Sequence, residues 1–229
     1  MNQVFEKSLF DAEQCFNKSL ETLVDYKEKH ICNQLLPFDF ERTENISFHK
    51  LIFSTSNGVF LLDTEKKLFK QILKGKFYGI TQLNDFQWFL TRSNNIGERN
   101  HAFNERITDI TLLTLDEKKE ALKDIKVVLF GIPSEVHQID IYENILYMPH
   151  TGYNQVLTIS VQDLLKGVPK QLKDCQSTEL KIQSSSHLNS IFIDDEKWYL
   201  IAHNFTMQTN KMSDALMYNA KTKYLDIIN

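Results

Sequence analysis

Glycine and proline are scarce, 7 and 4 in 229 residues, which excludes a collagen-like or low-complexity chain. Cysteine is scarcer still. Cys15, Cys32 and Cys175 lie far apart and are odd in number, which argues against a disulfide framework and suits a reducing compartment, with the thiols as buried spectators. The 26 basic and 30 acidic side chains are interspersed, with a net charge of −4 and no Lys/Arg-rich run. The electrostatic footprint of a nucleic-acid binder is therefore missing. No stretch approaches the roughly 20 apolar residues that cross a bilayer. The opening residues, MNQVFEKSLFDAEQ, lack the basic-then-apolar order of a secretory signal. The expected location is the cytoplasm, so the N-x-S/T triplets at Asn17, Asn45 and Asn204 are expected to carry no glycan. Phosphate-binding glycine loops, H-E-x-x-H, C-x-x-C and G-x-S-x-G are all absent from the sequence, so the familiar cofactor and hydrolase signatures do not apply. No cofactor and no metal are expected.

What is present begins with one helical stripe. Phe5, Leu9, Ala12, Phe16, Leu20 and Leu23 recur at three- and four-residue steps, with Glu6, Lys7, Glu13, Lys18 and Glu21 between them. That spacing predicts an amphipathic helix within residues 1–36, ending before Pro37, which disfavours helical geometry at Leu36. Residues 37–47 read as a polar connector. From about residue 48 the period changes to short apolar or alternating runs: Lys50–Ser54, Val59–Leu62, Phe86–Thr91, Ile110–Thr114, Val127–Phe130, Asn144–Met148, Val156–Ile159, Ser190–Ile193 and Trp198–Ile201. Asn57-Gly58, Asn84-Asp85, Glu143-Asn144, the Gly152-Tyr-Asn154 run and Asp194-Asp195 separate them. Such residues tolerate the backbone angles of tight hairpins, so the expected fold of residues 48–229 is an antiparallel meander.

The meander repeats. Segments starting at Gly79, His137 and Asn189, about 50–60 residues apart, share a small or polar start, a short apolar strand, an acidic turn and an aromatic-rich strand. Their spacing is near the ~40–50 residues of a four-stranded propeller blade with loop insertions. A partial copy, Leu51 to Asp63, precedes them. Trp88, Tyr147 and Trp198 share an offset from the acidic turn and are expected at equivalent buried positions. Through Asn57-Gly-Val-Phe-Leu-Leu-Asp63, His137-Gln-Ile, Leu146 to Asn154, and Asn189-Ser-Ile with His203-Asn204, the chain resembles the loose group of β-propellers with NHL-like, gluconolactonase-like and paraoxonase-like blades. The resemblance implies a mainly β, propeller-like array of about four blades behind the N-terminal helix. A four-bladed ring, a ring completed by another chain and a truncated arc all fit it.

Equivalent strand ends in a radial repeat face a common axis. His137, His150, His187, Asn189, His203 and Asn204 are therefore the candidate ligand-binding residues, clustered at one end of the array. Imidazole and amide groups gathered there suit an anion, a sugar or a metal, although oxygen-rich divalent sites of the lactonase kind need carboxylates where Gly79 and His137 stand. The same residues at strand ends also serve as turn caps. Three function classes follow. The first is a non-enzymatic binding or scaffold module; the second is a sugar-binding or lactonase-like protein with His137 or His187 as general base; the third is a subunit or fragment of a larger propeller. The expected partners are another protein or a second copy of the chain, with a small molecule as a further candidate, and neither nucleic acid nor membrane.

Overall fold

The computed structural model describes residues 30–40, 49–95, 106–133, 135–151, 153–181, 186–204 and 214–228. These residues are mainly β and form four antiparallel sheets. Sheet 1 holds β1 (Ile31–Leu35), β2 (Lys50–Thr55), β3 (Gly58–Asp63) and β4 (Leu68–Lys74) in the order β1-β4-β3-β2. Sheet 2 holds β5 (Phe77–Asn84), β6 (Gln87–Asn95), β7 (Arg106–Leu115) and β8 (Leu122–Pro133) in sequence order. Sheet 3 begins with β9 (Asp140–Tyr142), β10 (Ile145–His150) and β11 (Gln155–Ser160). A short helix α1 (Val161–Leu165) then leads to β12 (Lys170–Gln171), which joins the edge of β8 in parallel, before β13 (Gln176–Glu179) returns to pair with β11. Sheet 4 is β14 (Ser186–Asp194), β15 (Lys197–Asn204), β16 (Asp214–Asn219) and β17 (Tyr224–Ile228).

Each sheet holds a hairpin closed by two residues: Ser56-Asn57, Asp85-Phe86, Glu143-Asn144 and Asp195-Glu196. Glu143 and Asn144 take φ of 45° and 64°, the left-handed geometry that matches the twist of paired strands. The first strands of the four hairpins lie in series, β2 beside β5, β5 beside β9 and β9 beside β14.

Among the described residues, three apolar clusters fill the three gaps between consecutive sheets. Val59, Leu61, Phe77, Leu90 and Leu113 lie between sheets 1 and 2. Phe89, Ile110, Leu146, Met148 and Leu157 lie between sheets 2 and 3. Tyr147, Leu188, Trp198, Leu200 and Tyr218 lie between sheets 3 and 4. Strand alternation explains the sorting: Trp88 and Leu90 face sheet 1 while Phe89 faces sheet 3. The outward face of sheet 4 is also apolar, with Phe192 61% and Ile201 44% exposed. On sheet 1 the outward Phe53, Phe60 and Phe69 stack with centroids 5.4 to 6.3 Å apart, and Phe38 leans on Phe69.

Two expectations are corrected. The helix expected over residues 1–36 lies outside the described residues up to residue 29, but Ile31–Leu35 is a strand. It pairs with β4 through Ile31↔Leu73 and Leu35↔Lys70, and Asn33, at φ 45°, accepts a hydrogen bond from the Leu122 N–H at 3.0 Å. Pairing with the open edge of β4 outweighs helical continuity, a tertiary effect that local spacing does not carry. The second correction concerns Tyr147. Counted from the hairpin closures Asn84↔Gln87, Tyr142↔Ile145 and Asp194↔Lys197, Trp88 and Trp198 are equivalent, but their counterpart is Leu146. Tyr147 points the other way and meets Trp198 edge-on across the gap between sheets 3 and 4, centroids 5.4 Å apart.

Candidate functional site

The end of β2, the start of β5, the 137–138 segment and β14 are sewn together at one end of the array. The Ser54 hydroxyl donates to the Tyr78 carbonyl, joining sheets 1 and 2. The Gly79 N–H donates to Thr91 Oγ1 at 2.7 Å, and that hydroxyl donates to the His137 carbonyl at 3.0 Å. Gln138 reaches both neighbours: its side-chain amide donates to the Ile80 carbonyl and its backbone N–H to the Asn189 carbonyl, each at 3.1 Å. Gly79 is required here. A Cβ at that position would sit 2.0 Å from the His137 oxygen, so only a residue without a side chain lets β5 lie against the 137–138 backbone.

These contacts frame an open cavity of about 490 Å³ lined by Ser54, Thr55, Tyr78, His137, Asn189 and Ile201, among others. Its wall draws on β2, β5, β14 and β15 and on the His137–Gln138 segment that leads into β9. Beside it, His137 Nε2 faces His187 Nε2 at 3.1 Å, and Glu135 Oε2 lies 3.4 Å from His137 Nε2. Two imidazole nitrogens this close repel through their lone pairs unless a proton or another cation stands between them. Glu135 is 2% exposed and supplies the negative charge that favours such a cation. Lys76 Nζ, 4.0 Å from Glu135 Oε1, shares that charge and also sits 5.1 Å above the Tyr78 ring, which in turn packs edge-on against His137.

The segment carrying Glu135 and His137 is held from below. The Val136 N–H donates to Thr108 Oγ1 at 3.1 Å and the Thr151 N–H to the Glu135 carbonyl at 3.2 Å. His150 belongs to this support. It is 1% exposed, its Nε2–H donates to the Pro133 carbonyl at 2.5 Å and its Nδ1 accepts from the Gln155 amide at 2.9 Å. The carbonyl can only accept, so the ring is neutral with its proton on Nε2. Burial pushes its pKa down to about 4, only partly opposed by the Pro133 carbonyl.

The structure thus brings His137, His187 and Asn189 to one place and sets His150 behind them, with both ring nitrogens engaged. His203 and Asn204 pair through their backbones with His187 and Ser186, and their side chains lie outside the described residues. Glu135, Tyr78 and Lys76 escaped the sequence reading. Glu135 had a signal, since Glu135-Val-His137 in extended chain puts both polar groups on one side. Burial, with the Asp174 charge second, pushes Cys175 up to about 12, far from the reactive thiolate range.

No family model and no curated protein matches the chain. Among solved structures it is similar to a chain of a nidogen/laminin complex, with 8% identity over 79% of this chain and 59% of that one and a TM-score of 0.55. A luciferin-regenerating enzyme (11% identity, 67% and 46% covered, TM-score 0.48) and the hydrazine synthase of Kuenenia stuttgartiensis (10%, 79% and 46%, 0.49) are more distant in shape. The chain spans about half the length of these structures, 46% to 59%. At such identities the likeness to the first is one of fold alone.

Proposed function

We propose that the chain is a binding module of the β-propeller type, its four sheets acting as blades and its ligand seated at the end of the axis where the first strands converge. One observation carries this: the 490 Å³ cavity takes its wall from sheets 1, 2 and 4 and from the segment that leads into sheet 3, and has the His137–His187 pair at its side. Binding is put ahead of group transfer because the Ser54 and Thr55 hydroxyls at the cavity donate to backbone carbonyls and are not paired with an imidazole base. Small polar ligands, sugars and anions, fit such a wall of imidazole, amide and hydroxyl groups. Histidine side-chain NMR during titration with sugars and small anions tests it. The His137 and His187 signals shift together while His150 stays still; a library that moves neither of the pair refutes the pocket.

A second reading is favoured by the outward face of sheet 4. Sheets 1 to 4 pack face to face in series, and Phe192, Tyr199 and Ile201 on sheet 4 and the phenylalanine-rich face of sheet 1 continue that apolar pattern. A second copy setting its sheet 1 against this sheet 4 extends the series through a heterologous contact. Light scattering tests it: an assembly that dissociates on Ile201→Lys supports self-association. A monomer rejects it and leaves the face to another part of the chain, such as the Phe5–Leu23 stripe.

A further inference from the structure

We infer that Glu135, His137 and His187 form a binding site for a divalent first-row transition metal ion of the zinc type. The inference rests on the pocket described above and names the ion at its wall. One ligand atom from each of the three residues lies within 4.8 Å of the others. The spacings are those of a coordination polyhedron: ligand bonds of about 2.0–2.1 Å in a tetrahedral site place neighbouring donor atoms about 3.3 Å apart, against the observed 3.1 Å between the imidazole nitrogens and 3.4 Å between carboxylate and imidazole.

The donor set selects the metal. Two imidazole nitrogens and one carboxylate oxygen suit zinc, iron, nickel or copper, whereas calcium and magnesium call for six or more oxygens. This is why a reading confined to oxygen-rich sites expected no metal. A cation between the rings is also compatible with the electrostatics, since a carboxylate that is 2% exposed stands beside them. The ligands are held by backbone, not by chance: Glu135 through Thr151, the intervening Val136 through Thr108, His137 through Thr91, and His187 by its place in the β14–β15 ladder. Three protein ligands leave further coordination positions, and His137 forms part of the cavity wall. An ion held there borders the cavity and offers a Lewis-acidic contact to an anionic or hydroxylated ligand.

The experiment uses the full chain, stripped with a chelator and titrated with Zn²⁺ by calorimetry, with Co²⁺ as an absorbing probe and Ca²⁺ as a contrast. The expected result is one Zn²⁺ per chain, not displaced by excess Ca²⁺, and visible Co²⁺ bands of low-symmetry coordination. Outer-shell substitutions alone shift metal affinity by about 10–100-fold, so His187→Gln and Glu135→Gln are expected to weaken binding at least ~100-fold. Where a variant does not fold, ¹⁵N shifts of the His137 and His187 ring nitrogens in the unsubstituted protein on adding Zn²⁺ give the same answer. Absence of stoichiometric binding, binding that survives both substitutions, or preference for Ca²⁺ overturns the inference. If sugars or anions still move the His137 signal in the chelated protein, the metal fails and the pocket stands; if neither does, both fail.

Discussion

His150 and the His137–His187 pair lie at opposite sides of one short segment, residues 133–137, and show what surroundings do to one side chain. His150 is sealed, with a carbonyl on one nitrogen, an amide on the other and Tyr153 stacked 4.4 Å from its ring. It serves as a neutral structural strut. His137 and His187 stand at the cavity with their Nε2 atoms facing each other and a carboxylate beside them. Histidine identity therefore says little about role. What differs is the company of the ring: a carbonyl and an amide for His150, a second imidazole and a carboxylate for His137.

The sharpest way to break the comparison is His150→Ala. It leaves the Pro133 carbonyl and the Gln155 amide without their partner in a buried place and opens a cavity, so a loss of about 3 kcal/mol is expected in the denaturation midpoint. The same contrast appears with pH. The folded-state value near 4 lies below the ordinary 6.5, so between them the unfolded chain binds the extra proton. The stability tied to a neutral His150 is complete above about pH 6.5 and is lost as the pH falls toward 4, by roughly 3 kcal/mol. A pH–stability curve that stays flat across that window contradicts the strut.

Gly79→Ala comes next. Its new methyl collides with the His137 backbone, and a cost of about 1–3 kcal/mol is expected, accompanied by a displaced His137 imidazole resonance and an unchanged His150 one. Equal movement of both resonances shows that the two regions are coupled more tightly than their contacts imply. The smallest effect belongs to His187→Ala, whose partner remains at a cavity open to water; a stability change under about 1 kcal/mol is expected. A loss as large as that of His150→Ala makes the pair structural as well.

The hairpin strands β2 and β3, β5 and β6, β9 and β10, and β14 and β15 are legible in the sequence because each hairpin carries its own turn residues and its own alternation, both local properties, whereas β4, β12 and β13 are not expected from it. The equivalence of Trp88 and Trp198 is legible for the same reason, and Tyr147 misleads because an aromatic one position off looks the same until the pairing register is known. β1 is not legible, since its partner lies across an intervening hairpin. In the site, His137, His187 and Asn189 follow from repeat position. Glu135 does not, because its value comes from burial beside His137 and from backbone contacts of its segment, Glu135 with Thr151 and Val136 with Thr108, which join residues 16 and 28 positions apart.

The way the sheets are dealt out along the chain has a consequence for how the molecule is made. Sheet 1 comes from residues 31–74, sheet 3 apart from its helical detour from 140–179, and sheet 4 from 186–228; sheet 2 spans 77–133 and waits only for β12. Each ladder can close as soon as its own stretch leaves the ribosome, with short loops and little closure entropy. The segment bearing Glu135 and His137 emerges before its partner on β14 exists. The pair therefore forms only once β14 has been made, a mark that the fourth sheet has docked on the third.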